Sequence, residues 1–85
     1  MGTRVAVMSI IVENPETVQR LNEILHEYGE YIIGRMGIPY RERKIHIISI
    51  AIDAPQDTIS TLAGRIGSLK GITVKTAFSG VKSNE

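Results

Sequence analysis

An α+β domain of βαββαβ order is predicted by three features of the sequence. Runs dense in Val and Ile alternate with segments whose apolar residues recur at three- and four-residue spacing. Each helical pattern opens at a proline, Pro15 or Pro55, and closes at a glycine, Gly29 or Gly71. The first half of the chain is also weakly repeated in the second. Residues 10–16 line up with 50–56 at an offset of forty, and Thr17-Val18, Leu21, Leu25 and Tyr28 match Thr58-Ile59, Leu62, Ile66 and Leu69 after a one-residue insertion. Two similar βαβ halves compose the ferredoxin-like fold, one four-stranded antiparallel sheet in spatial order 4-1-3-2 with both helices on one face.

Each element has its own signal. Residues 4–13 are too short and too rich in β-branched side chains for a buried helix, and read as a strand. Asn14 is a good N-cap and Pro15 suits the first helical position, where its missing N–H leaves no bond unmade. In the first helix Val18, Leu21, Leu25 and Tyr28 form one apolar stripe, with Glu16, Arg20, Glu23 and Glu27 facing water. Residues 30–38 are predicted as a second strand whose Gly34 and Gly37 mark a bulge or an edge position. A hairpin turn follows over 39–43, then the most β-forming stretch, 44–53. Pro55 opens a second helix with the stripe Ile59, Leu62, Ile66 and Leu69. Its internal Gly64 and Gly67 are expected to let it approach the sheet, at ~1 kcal/mol each in propensity. Residues 72–79 alternate as a last strand, so one domain spans 1–80 and 81–85 is a polar tail.

Composition removes several function classes. A chain of 85 residues buries only ~60 to 65% of the surface its unfolded form exposes, so association should add to its stability. Cysteine is absent, which excludes disulfides, thiolate metal sites and thiol chemistry. The net charge of +1 argues against direct binding of nucleic acid through phosphate neutralisation. No apolar run reaches the ~20 residues of a membrane span, and the short apolar run after Arg4 lacks the cleavage site of a secretory signal. A cytoplasmic location without membrane contact is therefore expected.

The repeat also assigns the faces of the sheet. Met8, Ile10 and Val12 correspond to Ile48, Ile50 and Ile52, and these belong under the helices. The other face then carries Val5, Val7, Ser9 and Ile11 with Ile45, Ile47, Ser49 and Ala51. A sheet face open to water should be polar there. Its apolar character predicts a cover, most simply a second copy of the chain, with Val5, Val7, Ile11, Ile45 and Ile47 at the interface of a dimer or tetramer.

Candidate chemistry is sparse. Gly34, Arg35, Gly37, Tyr40 and Arg41 are candidates for binding a small ligand or anion; the same residues also read as a bulged edge strand and a charged hairpin, devices against edge-to-edge aggregation. Gly34-Arg35-Met36-Gly37 lacks the glycine spacing of a phosphate loop. His26 and His46 fall on different elements, so a metal site would need carboxylates or a second subunit, and no metal or other cofactor is expected. Glu13 and Asp53 end the two inner strands at equivalent positions, where they could pair for acid–base work or simply complement helix N-termini. Ser9 and Ser49 are matched by the repeat without a base in pattern.

Five runs resemble a known family: Arg4-Val5-Ala6-Val7, Ile10-Ile11-Val12-Glu13, the stretch from Asn22 to Gly29, Ile33-Gly34-Arg35-Met36-Gly37-Ile38-Pro39-Tyr40, and 50–55. They look like the small regulators of the iron-only hydrogenase system, across nearly the whole chain. The resemblance implies an ACT-like, ferredoxin-like domain tied to hydrogenase maturation or expression, non-enzymatic, with a small-molecule effector or a protein of that system as partner. It supplies no established ligand or catalytic residue. ACT domains typically bind effectors at a glycine-bearing turn after the first strand, and the turn here, Glu13-Asn14-Pro15-Glu16, has no glycine. The alternative is a metal sensor similar to the regulatory domain of nickel-responsive regulators, without its own DNA-binding arm. That domain carries a His-x-His pair and a cysteine, whereas His46 is followed by Ile47 and Ile48.

Overall fold

A computed structural model describes residues 2–81. Four strands and two helices appear in the predicted order: β1 (Arg4–Val12), α1 (Val18–Glu27), β2 (Ile32–Tyr40), β3 (Ile45–Ala54), α2 (Gln56–Gly67) and β4 (Ile72–Phe78). The sheet runs β2-β3-β1-β4 with every neighbouring pair antiparallel, which is the predicted 4-1-3-2 read from the other edge. It is the ferredoxin-like arrangement.

Local chemistry explains where elements begin and end. The Asn14 side chain accepts the Glu16 N–H at 3.0 Å, capping a short 3-10 turn over Pro15–Thr17 that leads into α1. The helix proper therefore starts three residues after the proline. Gly29 does not stop α1 with a left-handed residue; Gly29–Tyr31 forms another 3-10 turn, closed by the Tyr31 N–H on the Tyr28 carbonyl at 3.0 Å. That turn moves the start of β2 from the expected 30 to Ile32. At its other end β2 runs on through Pro39, because an edge strand tolerates a residue with no N–H to donate. The register of β2 on β3 slips between Ile32 and Gly34, leaving Ile33 as the bulged residue.

The core lies between the helices and one sheet face. Met8, Ile10 and Val12 of β1 and Ile48, Ile50 and Ile52 of β3 are buried against Leu21, Ile24 and Leu25 of α1 and Ile59, Leu62 and Ile66 of α2. Each such side chain contributes roughly 1.5–3 kcal/mol of transfer free energy. The one buried polar residue among those described is Thr17, and its hydroxyl donates to the Lys70 carbonyl at 2.8 Å. The same corner holds Gly71 at φ +73, where a β-carbon would lie 2.7 Å from Asn14 Cβ. There the Glu13 N–H donates to the Gly71 carbonyl at 2.7 Å, tying the end of β1 to the turn before β4.

The two helix glycines differ from expectation in one case. Gly67 does face the sheet, where an added β-carbon would meet Val74 Cγ1 at 3.3 Å. Gly64 faces open space and makes no close approach. Of the expected tail, 81–85, residues 82–85 lie outside the described residues.

Candidate functional site

Strand pairing builds two surfaces that no other part of the described chain covers. The first is the sheet face opposite the helices. Registers align Ile38, Ile47, Ile11 and Thr73 in one row across all four strands, Met36, Ser49, Ser9 and Lys75 in the next, and Gly34, Ala51, Val7 and Ala77 in a third. Val5, paired with Asp53, and Tyr40, paired with Ile45, extend the face at its two ends. Val7, Ile11, Met36 and Ile38 stand 39–52% exposed, with Ile45 and Ile47 half-buried among them. The only charge within those three full rows is Lys75, on the β4 edge.

Met36, Ile38 and Tyr40 were not part of the face assigned from sequence. Their signal was available in the two-residue period of the second strand, in which Gly34, Met36, Ile38 and Tyr40 share a face and Arg35, Gly37 and Pro39 share the other. The same alternation divides the candidate ligand residues. Gly34 and Tyr40 lie on the open face, Arg35 and Gly37 on the helix face, and Arg41 in the hairpin turn. Arg35 hydrogen-bonds Asn22 of α1 through Nη2, away from Tyr40 and Arg41. One pocket does not hold all five.

The second surface is the end of the β2–β3 hairpin. A depression of about 300 Å³ there is lined by Pro15, Pro39 and Ile45 together with Tyr40, Arg41, Lys44 and His46. The turn is a 3-10 element over Arg41–Arg43 ended by Lys44 at φ 57, ψ 39. Lys44 is the one non-glycine residue with positive φ among those described. The Tyr40 hydroxyl donates to Glu42 Oε1 at 2.8 Å, so the hairpin's carboxylate is engaged by a phenol. Ion pairs among the described residues are Arg20–Glu23 within α1 and Arg65–Glu27 between the helices; neither Arg41 nor Lys44 makes one.

The remaining candidates separate. Antiparallel pairing sets Val5 opposite Asp53 and Val12 opposite His46, so Glu13 and Asp53 lie at opposite ends of the sheet, roughly 27 Å apart at strand rise. Equivalent positions in a sequence repeat become opposite ends when the strands run antiparallel, and the two carboxylates do not form a pair. Ser9 and Ser49 are direct register partners on the open face. His26 is exposed on α1 and His46 half-buried at the start of β3. Among the described residues no three His, Asp or Glu side chains cluster as a metal site would need.

Sheet order and helix placement define the chain as a small ferredoxin-like α+β domain. It is similar to the uncharacterized protein TM1266 from Thermotoga maritima, with a TM-score of 0.86 and 34% identity over 89% of this chain and 96% of that one. The family described as "Iron-only hydrogenase system regulator, putative" (TM1266-like) matches residues 4–76, and the chain belongs to it. A more distant likeness is to proteins of Saccharolobus islandicus named "Putative nickel-responsive regulator", 29% identical over 84% of this chain. The chain spans about half, 54%, of the length of those relatives. A formyltetrahydrofolate deformylase from Pseudomonas putida KT2440 shares the fold alone, at a TM-score of 0.62 and 13% identity over 86% of this chain and 28% of that one.

Proposed function

We propose that this domain is a non-enzymatic, cytoplasmic regulatory module of the iron-only hydrogenase system that works as a homo-oligomer, its copies packed through the open sheet face. The observation that carries the reading is the continuity of that face: three registered rows, apolar at most positions and carrying Lys75 at one edge as their only charge. An uncovered surface of this kind on a small protein marks an interaction site, and self-association is the simplest cover for a domain with a limited core. Family membership supports a regulatory role. A partner would then be a small effector or a protein of the same system, with no direct nucleic-acid contact. No helix among the described residues is long and apolar enough to cross a membrane.

Light scattering tests the assembly. The wild-type chain should run at a multiple of 9.4 kDa, and Ile47→Asp should run near 9.4 kDa with its circular dichroism unchanged. A wild-type monomer, or an assembly that survives both Ile47→Asp and Val7→Asp, would sink the reading.

A further inference from the structure

We propose that the depression at the β2–β3 hairpin binds a small organic oxyanion, a carboxylate or phosphate carried on a compact apolar body, through Arg41, Lys44 and His46. Three observations converge on it. First, the lining combines two kinds of group: Arg41, Lys44 and His46 line the hollow together with Pro15, Pro39 and Ile45. Guanidinium and ammonium groups favour charge-assisted bonds to oxyanions, and apolar lining residues add nothing for a bare inorganic ion.

Second, the charge is local and uncommitted. The protein carries a net charge of only +1, yet residues 41–44 hold three bases against one acid. Glu42, that acid, accepts the Tyr40 hydroxyl, and neither Arg41 nor Lys44 is ion-paired among the described residues. Glu13 and Glu16, on the nearby connection from β1, do not line the hollow.

Third, Lys44 occupies a left-handed backbone conformation that disfavours a long side chain without local hydrogen bonding. Glycine or asparagine would sit there at ease. A lysine in that position is a local conflict of the sort found where a side chain serves a ligand. Arg35 has no part in the site, since it is turned to Asn22 on the helix face.

The proposal rests on the regulatory reading only in taking the ligand for an effector; binding itself is measured directly. The test is an NMR titration of the full, isotope-labelled chain with benzoate, phenyl phosphate, inorganic phosphate and neutral benzyl alcohol. Benzoate or phenyl phosphate should produce saturable shifts at the backbone amides of residues 40–46. Arg41→Gln and Lys44→Gly should each weaken binding by about ten-fold or more, the usual effect of losing a hydrogen bond to a charged group. Arg35→Gln should leave it unchanged. Lys44→Gly keeps the turn geometry available, so lost binding there cannot be laid to misfolding. The proposal is overturned by the absence of saturable hairpin shifts, by equal affinity for benzyl alcohol or inorganic phosphate, or by affinity that both variants retain. A chain that self-associates and fails this titration overturns the ligand site and leaves the assembly standing.

Discussion

Arg65 of α2 donates to Glu27 of α1 at 2.8 Å and lies over the Tyr28 ring at 5.7 Å, so one guanidinium joins the two helices across their outer surface. That hydrogen bond holds the Glu27 carboxyl below its ordinary value, and with the Tyr28 hydroxyl it raises the Arg65 guanidinium further. A carboxyl depressed in the folded state stabilises above its unfolded pKa, and the contribution is lost as pH falls through the folded value. Glu27→Gln should therefore lower the melting temperature slightly at neutral pH, with the gap closing under acid. Because the pair is exposed, it should also narrow in high salt. Thermal melts of both proteins across that range check this, and a gap that persists at the acid end would refute the assignment.

Gly71→Ala should be the most damaging of the glycine-to-alanine changes at Gly29, Gly34, Gly37, Gly64, Gly67, Gly71 and Gly80. The position needs φ +73, and the new methyl would meet Asn14 Cβ at 2.7 Å beside the Glu13–Gly71 hydrogen bond. Left-handed strain and the clash together should cost roughly 2 kcal/mol or more, about 8 °C or more in melting temperature for a domain of this size. Urea unfolding of the variant measures it.

Gly64→Ala and Gly67→Ala should diverge, although both exchange the same residues in one helix. At Gly64 the added methyl enters open space, so helix propensity and reduced unfolded-state entropy should stabilise by about 0.5–1 kcal/mol. At Gly67 the methyl meets Val74 at 3.3 Å, and the same gain should be largely offset. Equal stabilisation at both positions would contradict the packing of α2 on β4.

Metal content separates the regulatory reading from a nickel sensor. Protein purified without chelators should hold well under one nickel or zinc ion per chain at neutral pH, because His26 and His46 sit on separate elements and no three His, Asp or Glu side chains cluster among the described residues. Stoichiometric metal that disappears in His46→Ala would favour the sensor.

The fold was legible because the chain states it twice. The repeat around Asn14-Pro15 and Ala54-Pro55 fixed the order of elements, and the matched sets Met8, Ile10, Val12 and Ile48, Ile50, Ile52 fixed the buried face. The same repeat misled at Glu13 and Asp53, since equivalence in chain order says nothing about which end of an antiparallel sheet a residue reaches. The start of β2 was hidden by the 3-10 turn at Gly29–Tyr31, a short local hydrogen-bond choice without a periodic signature. The hairpin hollow was only half visible. Tyr40 and Arg41 stood out by composition, but Lys44 and His46 join them through the left-handed turn, and Pro15 arrives from a distant part of the chain.

His46 and Ile47 are consecutive in β3 and point to opposite sides of it: His46 toward the hollow with Pro15 and Pro39, Ile47 toward the apolar rows between Ile38 and Ile11. Their α-carbons are one chain step apart, about 3.8 Å. A shift of the β3 backbone at this point would displace both side chains, so the hollow and the open face share one segment of strand. Thermodynamic reciprocity then requires that whatever seating a ligand at His46 does to association through Ile47, association does equally to the ligand.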